Sequence, residues 1–191
     1  QAYVRFLDLQ KAEEQARESQ IQLALERVRA RTMAMHKSDE LRQVVALLFE
    51  QIRSLGFDAF MCSITLLDKA TGGYREIVSS NTQDVLPHIY NVPYFKDAFL
   101  DRFIASFDEG VAYKVFELGG IEKRELDNKY FTITDFRFVP EESKQMMLNT
   151  EHCWLCCAYM KHGCVTAIGD LELSANEAMI LQRFAKVFEQ T

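Results

Sequence analysis

The sequence predicts an α+β fold: an antiparallel β-sheet with helices on both faces, preceded by a long N-terminal helix of coiled-coil type. Three observations carry that prediction. From Ala2 to Leu55 there is no glycine or proline, and helix-forming residues dominate. Two pairs of apolar, alternating stretches are each joined by a short turn containing glycine. Helical periodicity lies between those pairs and at both ends of the chain.

Residues 2–35 favour helix throughout, a rod of roughly 50 Å at about 1.5 Å per residue. One heptad register takes Val4 and Leu7, then Ile21, Leu25, Val28, Thr32 and Met35. Between them it lands on Lys11, Glu14 and Glu18, so the apolar seam is broken. A shifted register through Leu9, Ala12, Ala16 and Leu23 partly covers the gap. This is the pattern of a coiled coil with a register change. Ile21, Leu25, Val28, Thr32 and Met35 are read as a dimerisation and signalling seam. They are expected to face a second helix, either a partner chain's copy or the closing helix 175–190. Pairing between chains is preferred, because a polar rod of this length has little reason to persist alone. Glu13 and Arg17 stand at i, i+4 and are expected to pair. The rod, residues 1–37, is divided from a compact domain, 38–191.

Ser38 or Asp39 can cap the next helix. That helix carries Leu41, Val44, Val45, Leu48, Phe49, Ile52 and Leu55 on one face and ends at Gly56. A strand is predicted over Phe57–Leu67, a hairpin loop over 68–73 and the partner strand over Tyr74–Ser80. His88–Val92 is a shorter strand. Pro93 precedes a helix bearing Phe95, Phe99, Phe103 and Phe107 at a regular i+4 spacing, closed by Gly110. Val111–Leu118 reads as a strand, Ile121–Phe138 as mostly helical and Glu141–Leu148 as a short helix. His152–Met160 and Cys164–Ile168 form the second hairpin, with a further strand fragment near Leu171 and Leu173. Ser174 and Glu177 have capping-box spacing and open the closing helix, whose inner face holds Leu181, Phe184, Ala185 and Phe188. The first and last helices are expected on one face of the sheet and the middle helices on the other.

The chain has 191 residues, enough for one domain with a real core plus an appended element. A net charge of −6 argues against electrostatic capture of nucleic acid. No apolar run approaches the roughly 20 residues of a membrane span, and no signal peptide is visible. Five cysteines, an odd number, read as reduced thiols of a cytoplasmic protein. The chain starts at Gln1 without Met and is expected to be a fragment.

The run Ala24-Leu25-Glu26-Arg27-Val28-Arg29-Ala30-Arg31-Thr32-Met33-Ala34-Met35, continued by His36-Lys37-Ser38-Asp39-Glu40-Leu41, resembles the segment leading into GAF-like sensor domains of bacterial signalling proteins, commonly histidine kinases. Arg183-Phe184-Ala185-Lys186-Val187-Phe188-Glu189-Gln190-Thr191 resembles the segment leading out. In that family the outgoing segment runs into a connector like Tyr3-Val4-Arg5-Phe6-Leu7-Asp8-Leu9-Gln10-Lys11-Ala12-Glu13, which here stands at the start. The resemblance implies tandem GAF-like units, adjacent signalling domains in a parent chain, and a homodimer. It covers about a third of the chain. Any ligand pocket would lie in the middle, Tyr74–Asn149, where only the order of elements is similar, so the ligand's identity is not implied.

The densest cluster of reactive groups is His152, Cys153, Cys156, Cys157, His162 and Cys164. On a strand, Cys153 and Cys157 share one face, while His152, Cys156 and His162 share the other. That parity disfavours a metal site, which usually needs a turn between paired ligands. Buried, small, apolar cysteines are the preferred reading, ahead of a redox-active thiol. The alternative is a cysteine-dependent enzyme, because GAF-like domains include the free methionine sulfoxide reductases. Asn128-Lys129-Tyr130-Phe131 followed by Asp135-Phe136 resembles the Asn-Lys…Phe-x-x-x-Asp-Glu motif of cyclic-nucleotide-binding GAF domains, with Phe136 where Glu is expected. A chance match is preferred. The Phe95–Phe107 series suits a helix packed on a sheet, or a pocket for a flat ligand. Arg27, Arg29 and Arg31 read as a solvated face. No phosphate loop and no nucleophile triad can be nominated.

The expected function is therefore a non-catalytic sensory or regulatory module. Tyr90, Phe99, Phe103, Trp154 and Cys156 are its candidate pocket residues. No cofactor or metal is identified, and an unknown small molecule is the candidate ligand. Neither nucleic acid nor membrane is an expected partner.

Overall fold

The computed structural model describes residues 2–37, 40–81 and 87–190. The long helix α1 (Ala2–Met33) ends in a turn, and α2 (Leu41–Ser54) follows. The proposed caps Ser38 and Asp39 lie outside the described residues, as does the side chain of Val4. Helices α1 and α2 form an antiparallel pair. Arg31 reaches Gln43 at one end, Arg27 donates to Gln51 at 3.3 Å, and Arg17 donates to the Leu55 carbonyl at 2.5 Å. Arg29 pairs with Glu26 on its own helix. The basic residues read as a solvated face thus hold internal partners. Arg17 is drawn to the end of α2 rather than to Glu13. Gly56, at φ 86°, lets the chain leave α2 through a conformation that other residues adopt at a cost.

Six strands form one antiparallel sheet in the order β3-β2-β1-β6-β5-β4. They are β1 (Met61–Leu67), β2 (Tyr74–Ser80), β3 (His88–Val92), β4 (Tyr113–Gly119), β5 (His152–Met160) and β6 (Gly163–Gly169). Residues 57–60 precede β1 as coil, and Leu171 and Leu173 lie in coil rather than a strand. The central pair, β1 with β6, joins the two predicted hairpins, Met61 standing opposite Ile168 and Cys62 opposite Ala167. Glycine is required at 163, where a Cβ would stand 1.9 Å from the Thr65 carbonyl oxygen.

Between β3 and β4 lies α3 (Ala98–Ser106). Asp97 caps it, accepting from the Phe99 and Leu100 amides at 2.9 and 3.3 Å. Phe95 and Phe107 therefore flank the helix rather than belong to it. After β4 come α4 (Gly120–Ile133), a 3-10 turn (Asp135–Phe138) and α5 (Glu141–Asn149). The closing helix α6 (Ala175–Glu189) opens with the expected capping box. Glu177 accepts from the Ser174 amide at 2.8 Å, and Ser174 Oγ accepts from the Glu177 amide at 3.3 Å.

The predicted layering holds. Helices α1, α2 and α6 cover one face, and α3, α4, α5 and the 3-10 turn cover the other. Alternation along each strand divides the side chains. Cys62, Ile64 and Ile77 enter the first core, while Tyr74, Val78, Cys164 and Ile168 enter the second. Val28, Leu48, Leu181 and Phe184 are wholly buried in the first core. Each such side chain contributes about 1.5–3 kcal/mol of transfer free energy.

This packing corrects the reading of the seam. Ile21, Leu25, Val28 and Thr32 are buried within their own chain against α2 and α6, and Met35 packs at the edge of the same core. The closing helix, not a second chain, takes their apolar side chains. Residues 21–35 are thus part of the compact domain, and the change from exposed to buried falls near Ile21 rather than at residue 37. Before that point almost every described side chain of α1 is exposed, including Tyr3, Phe6 and Leu9. Arg183 of α6 clasps Glu18 at 2.6 and 3.0 Å where α1 leaves the domain. That guanidinium, with Gln22, holds the Glu18 carboxyl below its usual range. No helix among the described residues is long and apolar enough to cross a membrane.

Candidate functional site

The face covered by the short helices holds a partly open cavity of about 90 Å³. The sheet supplies its floor through Met61 of β1, Tyr74, Glu76 and Val78 of β2, Thr166 and Ile168 of β6, and Cys153 and Leu155 of β5. Its roof is Phe99 and Phe103 of α3, Lys123, Leu126, Asp127 and Tyr130 of α4, Phe136 of the 3-10 turn and Met147 of α5. The walls are mainly apolar, with a few polar groups gathered among them, the usual make-up of a small-molecule site.

Those polar groups form two sets. In the first, Lys123 donates to Asp127 at 2.6 Å, one helical turn away, and to the Met147 carbonyl at 2.7 Å. Both side chains are buried, so this pair latches α5 onto α4. Burial raises the Asp127 pKa, and Lys123 opposes the rise. In the second set, the Tyr74 and Tyr130 hydroxyls bond to each other across the cavity. Burial holds both phenols far above their usual pKa, and the Glu76 carboxylate adds to the rise in each.

Glu76 is deep in the domain, and burial pushes its carboxyl from 4.5 up to about 7, with the Ser63 hydroxyl opposing. Its side chain nevertheless keeps some accessible surface, because it borders the cavity. Ser63 Oγ lies close enough to affect that pKa but makes no hydrogen bond within normal geometry. No cation contributes to the Glu76 pKa, and no ion pair among the described residues includes it. A third acid within the domain, Asp97, is paired with Lys129 at 2.6 Å. Burial alone would raise the Asp97 pKa, but Lys129 and two backbone amides bring it below its usual value.

The structure sorts the five sequence candidates. Phe99 and Phe103 line the cavity. Tyr90 stands just behind its wall, stacked on Phe136 with ring centroids 4.4 Å apart. Trp154 and Cys156 face the opposite core, because their strand parity turns them away. Within the Phe95–Phe107 series, Phe99 and Phe103 pack as core residues of α3 and also roof the cavity. The motif-like residues do not act together: Lys129 pairs with Asp97, while Asp135 accepts from the Asn91 amide and side chain at 3.0 and 2.6 Å.

All five cysteines are buried and unbridged. Cys153 borders the cavity, and burial pushes its thiol up to about 11. Burial raises Cys62, Cys156 and Cys157 as well. Among the described residues, no group of three or more His, Cys, Asp or Glu is placed to hold a metal ion.

Sequence reasoning missed Glu76, Lys123 and Asp127. The signal for Glu76 was present. It shares strand parity with Tyr74 and Val78 on β2, so one carboxylate interrupts an inward-facing apolar row. Lys123 and Asp127 stand at i, i+4 on a helix whose burial was not evident from its composition.

No family model and no curated protein matches the chain. Among solved structures, the GAF domain of an Acinetobacter phosphoenolpyruvate-protein phosphotransferase is similar at 10% identity and a TM-score of 0.46. The alignment covers 87% of this chain and 91% of that one.

Proposed function

We propose that this chain is a non-catalytic sensory or regulatory module of the GAF-like type, which binds a small molecule and passes the bound state to its terminal helices. The observation that carries this reading is the partly open apolar cavity with polar groups on the face roofed by α3–α5. The opposite face holds α1 and α6, clasped by Arg183 and Glu18. A ligand that favours one packing of the sheet shifts the population of arrangements that those two helices share. The buried, protonated thiols weigh against thiol catalysis, since the thiolate is the reactive form.

The exposed half of α1 supports a homodimer as part of this reading. An unpacked helix of this length is marginal in water. Leu9, Ala12, Ala16 and Leu23, the shifted heptad register, remain exposed and offer a seam to a second copy. In a cytoplasmic parent chain, neighbouring signalling domains would continue from either end. Leu9→Glu is expected to lower the mass seen by light scattering from dimer to monomer. An unchanged dimer would remove this seam from the account.

The binding reading is tested by a methyl-NMR fragment screen with neutral, anionic and cationic members. Hits are expected to shift the methyls of Leu118, Leu126 and Ile168 and to alter amide exchange in residues 5–20. A screen with no hit of any charge class at these methyls would contradict it.

A further inference from the structure

We propose that the occupant of this cavity is a compact primary ammonium ion, with the Glu76 carboxylate as its counter-ion. This deepens the ligand-binding reading and rests on it. The argument begins with charge. Lys123 is taken by Asp127 and the Met147 carbonyl, and Lys129 by Asp97. Each cation near the cavity thus has a carboxylate already. Glu76 is the carboxylate left over, bordering the cavity without a protein cation. An ionised carboxylate in such a place is costly unless a counter-ion is brought to it.

Donors and acceptors point the same way. An ammonium group has three donors and no acceptor. Beside Glu76, the paired Tyr74 and Tyr130 hydroxyls have lone pairs but share one of their two protons between them. Thr166 donates its proton to Cys157 Sγ at 3.5 Å and accepts from Cys164 Sγ at 3.4 Å, which leaves one lone pair on its oxygen as an acceptor. The cavity therefore offers acceptors where an ammonium needs them. Phe99, Phe103 and Leu126 close around the space left for a short carbon chain.

Size limits the chain. An apolar cavity of about 150 Å³ takes the six carbons of benzene, so in proportion this one takes about four heavy atoms. n-Propylammonium is such an ion, and 1-propanol and propionate are its neutral and anionic counterparts.

Protonation of Glu76 competes with the cation. The titratable groups facing it are Tyr74 on β2, Tyr130, Lys123 and Asp127 on α4, and Cys153 on β5. The two phenols and Cys153 are held protonated through neutral pH, and Lys123 remains paired. Affinity then rises with pH until Glu76 is fully ionised, and levels off above that.

The test is an NMR titration of the full 191-residue chain with each of the three compounds at pH 6 and pH 8. Propylammonium is expected to bind at least tenfold more tightly than 1-propanol at pH 8, and about tenfold more weakly at pH 6 than at pH 8. Glu76→Gln is expected to abolish both differences. If that variant does not fold, the pH dependence in the unaltered chain decides the question. Equal or tighter binding of 1-propanol or propionate would overturn the ammonium assignment while leaving the cavity as a ligand site. Binding by none of the three would overturn the assignment as well, and the broader fragment screen would then decide the cavity reading separately.

Discussion

One face of the sheet is closed by helices of 32, 14 and 15 residues, the other by helices of 9, 14 and 9 residues and a 3-10 turn. The first core is made of interlocking aliphatic and aromatic side chains, with Val28, Leu181 and Phe184 wholly enclosed. The second contains Glu76, Asp127, Lys123 and a cavity. Long amphipathic helices can each lay several turns of apolar side chain on a sheet, which leaves little unfilled space. On the other face the cover is divided among shorter elements, and a polar residue of β2, Glu76, and two of α4, Lys123 and Asp127, stand among the apolar side chains. The two faces therefore divide the work. One holds the domain together and carries its termini, and the other keeps a polar space at the expense of packing.

The largest expected effect probes that division directly. Leu181→Ala on the closed face should cost about 4–5 kcal/mol in denaturant unfolding, while Leu118→Ala on the cavity wall should cost about 2–3 kcal/mol, the two ends of the range for a buried leucine. Equal costs would mean that the two faces are packed alike.

Next comes the pH dependence contributed by Glu76. Its carboxyl rises from 4.5 to about 7 on folding, so between those values the folded chain holds a proton that the unfolded chain has lost. Stability must then fall as pH rises from 4.5 to about 7 and become flat above it, by roughly 3 kcal/mol in total. Glu76→Gln should remove this loss, as seen by comparing urea midpoints at pH 5 and pH 8. A wild-type profile that is flat or rising over that range would place Glu76 in a more hydrated setting.

The cysteines sharpen the contrast further. Cys153 borders the cavity, whereas Cys62 and Cys156 are sealed in the other core. A small alkylating reagent at pH 8 should modify Cys153 before either of them, and all should react orders of magnitude more slowly than free cysteine. Mass mapping that found Cys156 labelled first would reverse the assignment of faces. The smallest effect is at the surface. Arg183→Ala should cost between about 0.2 and 1 kcal/mol, because the pair with Glu18 is largely hydrated. It should still speed amide exchange where α1 leaves the domain.

The order of elements was legible in the sequence because periodicity and punctuation agree with each other. Gly56, the 68–73 loop and the Ser174–Glu177 box mark boundaries that the structure keeps. The layering was legible for the same reason. The seam at Ile21–Met35 was legible as a face that a second helix must cover, but heptad spacing does not say which of the two expected helices covers it, and the preference for a partner chain was the wrong choice. α6, separated by about 150 residues, supplies the cover. The cavity was half legible. Phe99 and Phe103 stood out by their spacing, but Trp154 and Cys156 were chosen for chemistry when strand parity had already turned them to the other side. Glu76 is hard to read from sequence because a carboxylate in an alternating strand normally marks the solvent face, whereas both faces of this sheet are covered.

The central claim concerns that carboxylate, and its own titration tests it most directly. With the Glu76 side-chain carboxyl carbon labelled, its NMR shift should titrate with a midpoint near 7 in the free protein and move well down in saturating n-propylammonium. A midpoint at the ordinary glutamate value, unmoved by the amine, would contradict the account.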